Sequence, residues 1–461
     1  MSICLSGIKA KVKSLSITLT PPVNHPLIKL SQAIPWEEMS ILVISDLKES
    51  TAKKSYHLGR KLKLRIHLGV YLLQQMYNLT DRQTEWQVKY NAVYQLFCGV
   101  GVVDRWHVPD HTKIEEFRSR LSPETQRSIA NSVAQLGVKL GYADSTMMDQ
   151  DSTVQEAGMT YPSDARLLVK MGGLCGKVYN FLLDLYPEEG LERFNFKKIK
   201  SAAREYFFGL KSDIEVKREK FKDLYYKTFL ECCKALELSL ATRHIEALPW
   251  QIRRAWQQLK AHGKKYFKDV EHYIFSGEIA EGKVMSFHLS EVGCFNKMKE
   301  GKGLQFGRQL QLGRIGGNFM IVAKSATIRM EDKRSVDPML KEHQALFGEG
   351  MLQSYGTDKG YYSHANQKIV NAIPGIVESN LQRPGQDLSK LGEEEMALKT
   401  ALANRRAGIE PLIGHMKHKG QLGRSRMKND ASTLASGYAA VGAFNLRQLI
   451  RHQLGKKIKS M

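Results

Sequence analysis

Cysteine is scarce in this 461-residue chain: six residues, none in a CxxC pair, sitting singly or side by side among apolar neighbours. That spacing excludes a zinc ribbon and a disulfide framework, and it suits a reducing compartment. No run approaches the roughly 18 apolar residues of a membrane span. The N-terminal apolar stretch is interrupted by Lys9, Lys11 and Lys13, so it lacks the core of a signal peptide. Acid is also in short supply, with 47 Asp and Glu against 69 Lys and Arg, a net charge of +22 and a pI near 9.6. A chain this basic suits a polyanion whose counterions it displaces, and nucleic acid is the leading partner. The expectation is a cytoplasmic, nucleoid-associated bacterial protein with no membrane partner.

At roughly 150 residues per domain, the length allows about three domains. Residues 1–24 end near Pro21-Pro22 without strong periodicity and read as an arm. Residues 25–135 read as a helical DNA-binding domain. Lys53, Lys54, Arg60, Lys61, Lys63 and Arg65 lead, with no acid between them, into Ile66, Val70, Leu73 and Tyr77 at helical spacing. Thr80 with Gln83 predicts a capping box for a helix through about Phe97, and Thr112 with Glu115 predicts another for a short helix carrying Arg118 and Arg120. Short helices with basic ends resemble a helix-turn-helix module, which makes Arg60, Arg65, Arg118 and Arg120 candidate phosphate contacts. Trp86, Phe97, Trp106 and Phe117 are expected to pack inward.

Residues 136–461 read as an α/β domain. A strand-like stretch lies within Gly141–Val154, followed by a charged helical insertion over about 177–270, broken at Pro187 and Pro249. Basic and acidic residues alternate in the insertion, so it reads as a solvated face. Residues 284–323 then read as strands, with Gly316-Gly317 marking a hairpin. From Thr400 onward, twelve Lys and Arg accompany only Glu410 and Asp430, the densest basic field in the chain.

Three local patterns select carboxylates from among the 47 acids. Asp151-Ser152-Thr153 follows a strand-like stretch; Asp358-Lys359-Gly360-Tyr361 pairs an acid with a turn-forming glycine; Arg406, Glu410 and Lys417 fall within about 40° of one another on an ideal helix. Pro411 suits the first turn of a helix, so Arg406 is expected to precede it. Each pattern alone has an ordinary explanation: an i,i+4 ion pair for Arg406 and Glu410, a cap or turn for Asp151. Asp149 shares the face of Asp151 on a strand and is the alternative ligand.

Taken together, these residues resemble the DDE transposases of bacterial insertion sequences, in the group with Arg, three residues, Glu, six residues and Lys near the C-terminus. Arg406, Glu410 and Lys417 match that spacing without a gap. Asp358-x-Gly360-Tyr361, Asp151-Ser152-Thr153 with Tyr161-Pro162-Ser163-Asp164, and the N-terminal His25-Pro26-Leu27, Gly59-Arg60, Asn78-Leu79-Thr80-Asp81 and Phe97-Cys98-Gly99 extend the resemblance. One departure is Ala403, where the group commonly has Tyr, so a base-handling role does not carry over.

The resemblance implies an RNase H-like catalytic core with a helical insertion. Asp151, Asp358 and Glu410 would be the catalytic and metal-binding carboxylates for two Mg2+ ions, with Mn2+ as the alternative, and Arg406 and Lys417 the phosphate-binding pair. It further implies cleavage of double-stranded DNA at terminal inverted repeats and strand transfer into target DNA, by a homo-oligomer assembled on DNA. The alternatives are a repressor-like DNA-binding protein without catalysis and a metal-dependent nuclease without strand transfer. A Ser or Tyr recombinase is disfavoured, because no Arg cluster surrounds a candidate nucleophile.

Overall fold

The computed structural model describes residues 24–52, 63–100, 108–187, 192–208, 214–241, 245–296, 303–325, 328–385 and 392–455. The expected arm, except for Asn24, lies outside the described residues, as do Arg60, Trp106 and most of the Lys53–Arg65 basic run. The chain divides into two compact units. One comprises Met1–Gln155, Gln309–Ser425 and Leu434–Met461; the other comprises Glu156–Arg308 and Arg426–Thr433.

Among the described residues the first unit opens with seven helices: α1 (Pro26–Ala33), α2 (Trp36–Ala52), α3 (Leu64–Met76), α4 (Asp81–Tyr90), α5 (Ala92–Phe97), α6 (His111–Arg120) and α7 (Pro123–Lys139). Polar side chains cap the starts of α1, α4, α5, α6 and α7. Thr80 and Gln83 form the expected capping box on α4. The helix does not run through to Phe97, because the Asn91 side chain accepts from Val93 and Tyr94 N–H and starts α5. For α6 the cap is Asp110, accepting from Lys113 N–H, rather than Thr112 with Glu115. Leu30, Leu68, Leu73, Phe97, Ile114 and Phe117 close the core between these helices.

The strands are β1 (Met147–Glu156), β2 (Gly293–Phe295), β3 (Gln305–Ile315), β4 (Phe319–Val322), β5 (Ser354–Gly356) and β6 (Glu378–Ser379). In the first unit they form one open mixed sheet in the order β4-β3-β1-β5-β6, with β1 central. β3 and β4 pair antiparallel across the expected glycine hairpin, whereas β5 runs parallel to both β1 and β6. Gly317 has φ +74, and a Cβ there would strike the carbonyl of Tyr142, so the turn requires glycine.

Helices α12 (Asp332–Phe347), α13 (His364–Ala372), α14 (Glu393–Ala407), α15 (Ile409–Lys419) and α16 (Asp430–Gln453) complete this helix-rich α/β architecture. The alternation of β1 sends its residues to two layers. Gln150 faces α12, where its amide donates to Ser335 Oγ at 2.9 Å. Asp149 and Asp151 face the C-terminal helices.

Asp149 is fully buried. Its carboxylate accepts from Arg314 of β3 at 2.6 and 3.1 Å and from Arg405 of α14 at 3.0 Å. Gly356, its partner across β5, has no room for a side chain because a Cβ would press on Asp149 Oδ1. Removing one member of a buried, paired set leaves the other charges uncompensated, which costs about 3–5 kcal/mol. Asp149→Ala is therefore expected to lower unfolding stability by that amount in a urea titration; a loss below about 1 kcal/mol would remove the structural role assigned to it.

The second unit contains α8 (Asp164–Leu185), α9 (Phe196–Phe208), α10 (Ile214–Ala241) and α11 (Trp250–Ser276), with β2 pairing antiparallel to Gln305–Gly307. The breaks follow Pro187 and Pro249 as expected, but the helical stretch begins at Asp164 rather than Lys177. Gly172, Gly173 and Gly176 let Ile199, Phe196 and Phe194 approach α8, and a Cβ at Gly172 would lie 2.8 Å from Ile199 Cδ1. No described helix is long and apolar enough to cross a membrane, and the described cysteines are free.

Candidate active site

The parallel register of β1 and β5 places two of the candidate carboxylates side by side. Met147 pairs with Ser354 and Asp149 with Gly356, an offset of 354 − 147 = 207 residues. The same offset separates Asp151 from Asp358 (358 − 151 = 207), so each lies two residues beyond the last pair on adjacent chain segments. Asp358 caps a short 3₁₀ turn over Lys359–Tyr361 by accepting from Lys359 N–H at 2.7 Å.

The third carboxylate arrives from the C-terminal helices. Gly408 separates α14 from α15, with a Cβ there excluded by the Arg314 guanidinium, and Pro411 sits in the first turn of α15 as expected. Arg406 thus closes α14 and Glu410 opens α15. The Arg406 guanidinium meets all three acids: Nη2 is 2.9 Å from Asp151 Oδ2 and 3.9 Å from Asp358 Oδ2, and Nη1 is 3.1 Å from Glu410 Oε1. Lys417, half-buried, lies two turns further along α15.

The electrostatics differ among these groups. The Asp151 side chain is only 17% exposed, against 60% for Asp358 and 59% for Glu410. Burial raises the Asp151 carboxyl above its ordinary range; Arg406 and the Ser152 N–H oppose this, while Glu410 and Asp332 add to it. Burial alone would lower Arg406, but Asp151, Asp358 and Glu410 outweigh it and hold the guanidinium above its usual value. Arg406 Nε is buried with no hydrogen-bond partner among the described residues.

Oxygen donors of this kind suit a hard divalent cation. As arranged, they are gathered around a guanidinium: among the described residues no three His, Cys, Asp or Glu side chains form a group that would hold one ion. The donor chemistry therefore fits Mg2+ or Mn2+, and the seat between the acids belongs to Arg406.

Asp332 escaped the sequence reading. It stands in the first turn of α12, its Oδ1 accepting from Gln309 at 3.1 Å and Gln311 at 3.3 Å. Gln311 also accepts from the buried Tyr361 hydroxyl at 3.1 Å, so this acid is wired to the turn after Asp358. The anchors Arg314 and Arg405 were missed as well, although adjacent arginines at 405 and 406 facing alternate acids at 149 and 151 carried a signal. On a helix, neighbours point about 100° apart and can serve two acids.

The N-terminal arginines are engaged internally. Arg65 donates to the Phe97 carbonyl at 2.6 Å and to Ser31 Oγ at 3.1 Å, and lies 3.2 Å over the Trp36 ring; burial lowers it to about 10. Arg118 grips Asp81 and Gln74, and Arg120 donates to the Leu47 carbonyl at 2.8 Å. Phe97 and Phe117 pack inward as expected, but Trp86 is 62% exposed, because its position on α4 faces away from Thr84 and Val88, the buried side.

Residues 18–120 match the family described as a transposase domain (DUF772). The chain is also 22% identical over 151 residues to "Uncharacterized protein ORF8 in nfe locus" of Rhizobium meliloti, covering 32% of this chain and 69% of that protein. No solved structure matches. The match shows a transposase-type domain over residues 18–120, under a quarter of the chain.

A carboxyl raised by folding contributes its stability below its unfolded value and loses it as pH climbs through the folded one. Ionised Asp151 thus strains the fold at neutral pH. Asp151→Asn is expected to melt higher than the wild type at neutral pH, with the gap closing as pH falls below about 4. Melting curves across that range check it, and a variant that melts lower at pH 7 contradicts the burial argument.

Proposed function

We propose that this chain, with its transposase domain, is a DDE-type transposase that cuts DNA strands at the ends of its element and joins the freed ends to target DNA. The observation that carries this reading is the convergence of Asp151, Asp358 and Glu410, 207 and 52 residues apart in sequence, on the single guanidinium of Arg406. An ordinary surface ion pair needs one acid. The mixed sheet, with Asp151 on its central strand, Asp358 just after β5 and Glu410 on a helix, supports an RNase H-like core.

In this reading Asp151, Asp358 and Glu410 would hold two magnesium ions, whose chemistry would be activation of the attacking oxygen and charge relief on the leaving oxygen. The protein's own part is to aim the strand. Arg406 exchanges carboxylates for phosphate oxygens, which its fork matches in pairs. Lys417, on the same side of α15, adds a point charge along the strand. Asp149 stays out of the chemistry, because both its oxygens are already bound to arginine. Double-stranded DNA is the partner, and bringing two element ends together calls for a homo-oligomer on DNA. In the helical region, Arg82, Lys89 and Lys113 are exposed where Arg65, Arg118 and Arg120 are turned inward.

The test is a magnesium-dependent reaction on a labelled duplex carrying the element's end, with target duplex added. Wild type is expected to release a 3′-hydroxyl end and form a joined product. Asp151→Asn, Asp358→Asn and Glu410→Gln are expected to bind DNA but cut nothing. Arg406→Lys is expected to fall by roughly 10–100-fold, the usual loss when a group orienting metal ligands is changed. Cutting without joining would reduce the protein to a nuclease; binding without cutting by wild type would leave a repressor-like protein.

A further inference from the structure

Helix α11 of the second unit carries a row of cations that the site above does not use. From Trp250 to Lys268 it contains Arg253, Arg254, Lys260, Lys264, Lys265 and Lys268 and not one acid. At about 100° per residue, Arg253, Lys260, Lys264 and Lys268 fall within about 80° of one another, and Arg253 to Lys268 spans about 22 Å. Lys260, Lys264 and Lys268 are exposed, Arg253 is half-buried, and among the described residues none of the four has an ion-pair partner.

The rest of the helix is committed elsewhere. Trp256, Leu259, Tyr266, Phe267 and Val270 lie in the core of the unit, and Gly263 admits Leu236 of α10 at a distance no Cβ would allow. The first acid, Asp269, is buried; it accepts from Lys265 at 3.2 Å and from Val284 N–H at 2.8 Å, so its charge is answered on the other side. Glu271 accepts from the Tyr225 hydroxyl of α10.

We infer that the exposed face of α11 is a second DNA-contact surface, lying along the phosphates of a duplex. This rests on DNA being the partner of the chain, and it reverses the reading of the insertion as an evenly mixed, solvated face. A rigid row of like charges without counter-charge is held apart against its own repulsion and is relieved by a polyanion. A lipid surface fits poorly, since a membrane-bound basic helix offers its apolar side to the bilayer, and here that side is inside the protein core. One strand of duplex places a phosphate every ~3.4 Å, so the row runs beside several of them. Such contacts position the protein without reading sequence.

The experiment is an anisotropy titration of the full chain with a fluorescein-labelled duplex of arbitrary sequence, in EDTA to prevent cutting, over a series of KCl concentrations. Lys260→Gln, Lys264→Gln and Lys268→Gln are combined in one variant. A control carries Lys197→Gln, Lys200→Gln and Lys227→Gln, exposed in the same unit and equal in charge removed. Each lost phosphate contact lowers the steepness of log K against log[salt] by about 0.9, so the α11 variant is expected to lose about 2.7 from that slope. Its melting temperature should be no lower than that of wild type, since glutamine is nearly as good a helix former as lysine and the repulsion within the row is removed. A slope equal to wild type, or an equal fall in the control, overturns the assignment and leaves the cleavage reading standing. A wild type that binds no DNA overturns both.

Discussion

A single buried carboxylate organises the first unit. Asp149 joins β1 to β3 through Arg314 and to α14 through Arg405, and Arg314 also donates to the Arg405 carbonyl at 2.6 Å, locking the end of that helix. Because the interior offers little solvation, this carboxylate is tolerable only with both cations present. Once α14 is pinned at Arg405, its neighbour Arg406 has one place to go, over Asp151, and Glu410 follows one turn later across Gly408. The geometry of the candidate site is thus inherited from a salt-bridge set two residues upstream on the same strand face.

That dependence explains what was legible in the sequence. Alternation along β1 made Asp149 and Asp151 look equivalent, and only burial separates them: one is fully sealed and paired with two arginines, the other keeps 17% of its side chain exposed and pairs, among the described residues, with Arg406 alone. The spacing of Arg406, Glu410 and Lys417 was readable because a helix turns periodic spacing into a common face. The meeting of Asp151 with Asp358 was not readable, since it depends on a strand register between segments 207 positions apart, separated by the Glu156–Arg308 part of the second unit. Asp332 was invisible for the same reason, because its role comes from Gln311 and Tyr361, which approach from β3 and the turn after β5.

The site is also where the fold is least at ease. Asp151 is buried enough to be raised by desolvation yet stands near Glu410 and Asp332, which share its sign. Arg406 holds the three acids together, and its own charged form is favoured by them in return. Clustered acids around one displaceable cation are poor for stability and well suited to exchanging that cation for others. In the proposed reading the guanidinium keeps the carboxylates that would hold the metal convergent, and it would turn to phosphate when they do.

Net charge located none of this. The +22 excess is real, but Arg65, Arg118 and Arg120 in the N-terminal helices turn inward to carbonyls, an aromatic ring and an acid, while lysines on α11 remain in solvent. The difference follows from the side chains: a planar fork with five donors can satisfy several acceptors in a half-buried setting, whereas a compact, strongly hydrated ammonium gains little by leaving water. A basic run in sequence therefore says more about DNA when it is lysine on the polar side of a packed helix than when it is arginine beside aromatic and carbonyl neighbours. By that criterion the insertion, whose acids and bases look evenly mixed along the chain, contains one acid-free stretch, Trp250–Lys268, whose exposed lysines share a helix face, and the search for a nucleic-acid surface moves from the N-terminal arginines to α11.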